Sequence, residues 1–316
     1  MFTLPAAATA ASYQRAQLMA ELVNGYPPAI GQEIFLYCSV AKGYADQFSD
    51  IEVTFLVEEV GETAVYENWL RSVGATVDPA TIEWGGGITT KSWVNGIFIE
   101  AAWRPLDALD KNIQQVIEAK TTDHWTLVDI WHTVYAVPLT DAPQLRSWQA
   151  KLASYPEELA TKLIQDAMEH LAEPHWYPLS IVNVAPLALR NASMYLSGEL
   201  AWSVERALRI LFALNRQWEP DYKWLRYEAK RLQHKPKRLV ERVNEVFMLP
   251  DLRARYVTSV QLLLDVLGLV SKLTAIDVSQ ETTHLQVALE PERLLKKRLY
   301  PPPEKSERMR DQSDGV

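Results

Sequence analysis

The chain has 316 residues, 48% hydrophobic and 23% charged, which is the composition of a globular protein with enough material for two cores. A net charge of −8 and a pI near 5.4 exclude a protein that lives on a phosphate backbone, so no nucleic-acid partner is expected, although a few local cations can still hold a small anion. The single cysteine, Cys38, rules out an internal disulfide and any multi-cysteine zinc site. With no basic leader and no apolar run near the roughly 20 residues of a membrane helix, a cytoplasmic protein without a membrane span is expected.

In chain order, "EIFLYCSV" is a short apolar run and "DIEVTFLVEEV" alternates Ile51, Val53 and Phe55 with acids and threonine, the pattern of a strand covered on one side. Between them lies a small-residue turn containing Ser39, Lys42 and Gly43. "TAVYENWLRSVGA" places Val65, Trp69 and Val73 at helical spacing with Gly74 just past the end, predicting a helix packed on those strands. "GGGITTKS" nearly spells a phosphate loop, but Thr90 stands where the second glycine belongs and a β-favouring run follows, so it is expected to be a hairpin loop. "GIFIEAAWRP" is a further strand stopped by Pro105, with Phe98, Glu100 and Ala102 on one face and Ile97, Ile99 and Ala101 on the other.

From about Pro156 the texture turns helical, in "EELATKLIQDAMEHLA", "ELAWSVERALRILFALNRQW", "YKWLRYEAKRL" and "VTSVQLLLDVLGLVSKL". Strands and helices therefore segregate along the chain, an α+β organisation of two domains, over 1–150 and 151–298. The proline- and charge-rich residues 299–316 have nothing to bury and are expected to be a disordered tail.

Asp50 and Glu52, two apart on a strand, point to one face and repel, so solvent, a shared proton or a divalent cation must offset them. A solvated strand edge is the bland alternative. Glu100, a lone acid on an apolar strand, would complete a three-carboxylate cluster if that strand lay alongside, and magnesium is the natural occupant of such a set. In the turn, Ser39 offers a hydroxyl, Lys42 a compact cation and Gly43 close backbone approach, each also readable as cap, surface charge or turn former.

Together "SVAKGYADQFSDIEV" and "GIFIEAAW" resemble the nucleotidyltransferase superfamily with the DNA polymerase beta fold, and are most similar to aminoglycoside nucleotidyltransferases of the kanamycin type. The match runs through Ser39, Ser49, Asp50, Ile51, Glu52 and Glu100. The resemblance implies a mixed-sheet nucleotidyltransferase domain followed by an all-helical bundle. It also implies magnesium on Asp50, Glu52 and Glu100, and a nucleoside triphosphate, ATP for preference, on Ser39, Lys42 and Ser49. A small-molecule acceptor hydroxyl would attack the α-phosphorus, with Glu169 as general base and Glu173, His170 and Glu199 as rivals, and with a homodimer as in the kanamycin-type enzymes. Two other readings stay open: a protein side chain as acceptor, and a degenerate nucleotide-binding module. The last is motivated by Cys38, which stands where the family has glycine.

The helical half resembles an uncharacterised domain family, particularly through "ALNRQWEPDYKW". Arg216 and Lys223 are candidates to reach the triphosphate. Trp84, Trp93, Trp103, Trp176 and Trp202 are candidates to line an acceptor cleft, or simply to be core.

Overall fold

The computed structural model describes residues 2–78, 82–84, 86–169, 171, 181 and 184–292. The tail at 299–316, and with it His170, Glu173 and Trp176, lies outside them. The chain forms two compact units, Met1–Lys162 with Arg216–Arg231, and Leu163–Asn215 with Leu232–Val316.

In the first unit the elements are α1 (Ala10–Leu22), β1 (Glu33–Leu36), α2 (Cys38–Lys42), β2 (Ile51–Val57), α3 (Thr63–Ser72), β3 (Thr76–Val77), β4 (Ile82–Trp84), β5 (Gly87–Val94), β6 (Ile97–Pro105), α4 (Leu106–Ile117), α5 (His124–Val134), β7 (Val137–Pro138) and α6 (Pro143–Leu152). The strands make one mixed sheet in the order β3-β5-β6-β2-β1-β7, with β4 also paired to β5. Among the described residues only the β2 and β6 pair runs parallel.

Local chemistry sets the ends of these elements. The Thr9 side chain accepts from Ser12 N to start α1, and Asp123 accepts from Thr126 N to start α5. Asn95 and Gly96 both have positive φ, 52° and 77°, the two-residue turn that suits the twist of the β5–β6 hairpin. The glycine-rich stretch accordingly splits: Gly86 sits in the turn from β4 to β5, while Ile88–Ser92, expected as loop, is strand.

One face of the sheet carries Ile51, Val53 and Phe55 of β2 with Ile99, Ala101 and Trp103 of β6, and buries them with Met19, Tyr66, Trp69 and Leu70 of α1 and α3. Trp103 stacks on Phe55 and Tyr66 with ring centroids 4.8 and 4.4 Å away, and its indole donates to Ile30 O at 2.9 Å. It is core, and lines no cleft. The buried face of α3 is Tyr66, Trp69 and Leu70, while Val65, expected inward, is 45% exposed.

Every residue of β2 is buried, so the expectation of one covered side was too modest. Its second face, with Glu52 and Thr54, looks toward α4 and α5. Chain from 216 to 231 completes this unit: Trp218 donates to Leu152 O at 3.2 Å, and Tyr222 Oη donates to Glu219 Oε1 at 2.8 Å, which also lies 2.9 Å from His124 Nδ1. The segment expected as one helix, "YKWLRYEAKRL", is instead the single helical turn α10 (Leu225–Glu228) between two 3-10 turns.

Helix α7 (Glu157–Glu169) contains the division at Lys162. The second unit holds α8 (Ala185–Leu189), α9 (Ser193–Leu214), α11 (Leu239–Met248), α12 (Leu252–Leu273) and α13 (Ser279–Ala288). Among the described residues α12 alone is long and apolar enough to cross a membrane by length and composition. It is the hub of this unit, packed on α8, α9, α11 and α13 through Leu262, Leu263, Val266, Leu267 and Val270.

Candidate functional site

The parallel register of β2 and β6 sets Glu52 directly opposite Glu100, the neighbouring-strand arrangement that the spacing required. Asp50 lies just before β2, close enough that its charge raises the pKa of both. Glu52 is pushed up to about 8, first by burial and then by Asp50, against the pull of the Cys38 thiol and Lys223. Burial and Asp50 also raise Glu100, with Lys91, its cross-strand partner on β5, opposing. Glu52 Oε2 is buried without a hydrogen-bond partner. Three carboxylates with one bare buried oxygen repel one another with only partial compensation, a charge balance that a divalent cation would offset.

The loop before Asp50 is held by α1. Arg15, buried, donates through Nε to Ser49 O at 2.8 Å, and Ser12 Oγ accepts from Ala45 N at 3.1 Å. The Ser49 hydroxyl is engaged with Asp46, accepting from its N at 2.9 Å and donating to Oδ1 at 3.1 Å. Ser39 is buried in α2 with its hydroxyl unpartnered. Gly43 does make a close approach, but to its own chain: a Cβ there would lie 2.8 Å from Ala8 Cα.

Two of the expected cations are committed elsewhere. Lys42 is buried 2.8 Å from Glu228 and lies 3.4 Å from the centre of the Tyr135 ring; burial, partly offset by Glu228, lowers its pKa to about 8. Arg216 grips Glu157 on the surface, with Nε 2.9 Å from Oε1. Lys223 is the cation beside the carboxylates, 3.9 Å from Glu52 and 3.1 Å from Asp221. Burial alone would lower its pKa, but Cys38, Glu52 and Asp221 raise it.

Cys38 has φ 54°, the left-handed conformation that a glycine takes without strain. Burial and the charge of Glu52 push its thiol well up, so it stays protonated. Glu169 is the exposed last residue of α7, in the helical unit, and Glu199 is half-buried on α9. Of the candidate tryptophans, Trp93 is 40% exposed against Phe98 and Trp202 is 60% exposed on α9. Trp84 is on β4, its side chain outside what the structure describes.

A cavity of about 340 Å³ opens over Glu52 and Glu100 and runs past Thr54 and Ala102 to Arg104. Its other wall is α5, which contributes Trp125, Val128, Asp129, His132 and Thr133. Arg104 grips Asp129 with two bonds of 2.5 and 2.9 Å, and Asn112 Nδ2 donates to Asp129 Oδ2 at 2.7 Å. Burial would raise the Asp129 carboxyl, but Arg104 and Asn112 hold it below the usual range. His132 packs on Tyr37, ring centroids 5.1 Å apart, and burial lowers its pKa to about 4, so it is neutral, with Nε2 unpartnered.

Arg104, Asp129 and His132 were missed by sequence reading, yet both strand and helix carried a signal. Arg104 continues the two-residue period from Glu100, and Trp125, Val128, Asp129 and His132 follow one helical face.

A family described as "Domain of unknown function (DUF4037)" matches residues 129–225, from α5 to the passage that returns to the first unit. No curated protein matches the chain. Among solved structures, a nucleotidyltransferase-like protein from Exiguobacterium sibiricum 255-15, at 1.90 Å resolution, is similar at 12% identity and a TM-score of 0.32, over 90% of this chain and 75% of that one.

Proposed function

We propose that the chain is a magnesium-dependent nucleotidyltransferase that moves a nucleoside monophosphate, AMP from ATP for preference, onto a hydroxyl of a small molecule. The observation that carries this reading is the in-register pairing of Glu52 with Glu100 on the floor of the cavity, with Asp50 near enough to repel both. Asp50, Glu52 and Glu100 would hold the metal, whose contribution when bound is to neutralise charge on the triphosphate and on the departing pyrophosphate. Lys223, half exposed beside Glu52, replaces Lys42 as the side chain that would meet phosphate oxygens. The unpaired Ser39 hydroxyl is a further donor for them.

Asp50→Asn is expected to abolish magnesium-dependent pyrophosphate release from nucleoside triphosphates, measured with a panel of hydroxyl acceptors, while the circular dichroism spectrum stays that of the native chain. Unchanged turnover would remove these carboxylates from the mechanism. One observation favours a second reading, a nucleotide-binding module without turnover: the Cys38 side chain occupies the glycine position and its thiol faces Glu52. Nucleotide binding with no pyrophosphate release from any acceptor would select it.

A further inference from the structure

The cavity is longer than a metal site needs, and its two ends differ in chemistry. Glu52 and Glu100 form one end; Leu56 and Arg104 are the next cross-strand pair but one on the same face, four residues further along. At about 3.3 Å per residue that is a trough of roughly 13 Å. Thr54 and Ala102 line it between the two ends.

The far end carries no uncompensated charge that the cavity could offer. Arg104 is neutralised by the bidentate Asp129, and Asp129 is in turn saturated by Asn112. Around that pair stand Leu109, Val128 and Trp125, the last 66% exposed although it is an indole on a cavity wall. An amine would find no free acid here, since Asp129 is taken. A flat, uncharged ring would find an aromatic face in Trp125 and an apolar wall in Leu109 and Val128.

Resting on the nucleotidyltransferase reading, we propose that this end of the trough is the nucleobase site: the base stacks on Trp125, with its phosphates directed to the Glu52–Glu100 end. A nucleotide is the occupant because a single continuous cavity joins the ring site to the carboxylates, so one molecule with a ring at one end and phosphate at the other uses both. The ring of an acceptor at the same place is the competing occupant.

The test is equilibrium binding to the full chain by isothermal titration calorimetry with magnesium, using ATP and inorganic tripolyphosphate as probes. Trp125→Ala is expected to weaken ATP roughly tenfold or more, the usual worth of one stacked base, and to leave tripolyphosphate unchanged. Trp125→Phe should recover most of the loss. Because the indole is largely exposed, its removal leaves the core intact. If ATP binds Trp125→Ala as it binds wild type while pyrophosphate release persists, the ring site is not for the base, and the transferase reading stands without it. Wild-type protein that binds no nucleoside triphosphate would overturn both.

Discussion

Glu52 is the residue where fold and function pull in opposite directions. Its carboxyl, buried and crowded by Asp50, has a pKa of about 8, against 4.5 unperturbed. Between those two values the folded chain holds a proton that the unfolded chain has released, so stability falls as pH rises through that window. Thermal denaturation is therefore expected to show a midpoint declining from pH 5 to pH 8, and Glu52→Gln should flatten the decline, gaining about 1–3 kcal/mol at pH 8. Magnesium should raise the wild-type midpoint at pH 8 and leave that of Glu52→Gln nearly still. A wild-type midpoint that rises over this range would show that Glu52 is ionised at no cost. Cys38 adds a second tension: a side chain in left-handed backbone costs on the order of 1 kcal/mol, and such strain concentrates at sites that use the geometry.

At the scale of elements, what could be read from the chain depended on length and on what each face meets. Strands β2 and β6 and helices α3, α7, α9 and α12 carry enough residues for a period to show, and all were visible. The two-residue strands β3 and β7 carry no period, and the helical turn α2 hid inside a stretch that reads as a loop. The three carboxylates were legible because a two-residue spacing fixes a face; that Lys42 turns away to Glu228 was not, because its partner lies far along the chain. Cross-chain capping was equally hidden: buried Glu33 on β1 accepts from Gln144 N and Leu145 N, at 2.7 and 2.9 Å, and so caps α6, whose own Ala142 offers no side-chain acceptor. Glu33→Gln, which loses the charge and one acceptor, should cost about 1 kcal/mol by urea denaturation. No change would mean that water replaces the cap.

For the whole molecule, the salient point is that the sheet unit is built from two stretches of chain. Glu228 is the clasp of the second stretch. It lies 2.8 Å from Lys42, accepts from Tyr44 Oη at 2.9 Å and lies 3.2 Å from Arg231, which also donates to Tyr135 Oη. Removing one member of a buried ion pair strands the other, at about 3–5 kcal/mol, whereas replacing both is far milder. Glu228→Gln is thus expected to destabilise the chain by about 3 kcal/mol in urea and to open the segment near Arg231 to limited proteolysis, and adding Lys42→Met should recover most of the loss. Equal stability of Glu228→Gln and wild type would show that the clasp is ornamental.

That clasp also sets an order of events during synthesis. When residue 162 leaves the ribosome the sheet can pair, but Lys42 has no counter-charge until residue 228 has followed it, by which time all of α9 has emerged. At roughly 5–20 residues per second the sheet unit waits several seconds without that carboxylate, while burial alone drives the Lys42 amine toward its neutral form. A chain cut at its apparent domain border would keep that vacancy permanently.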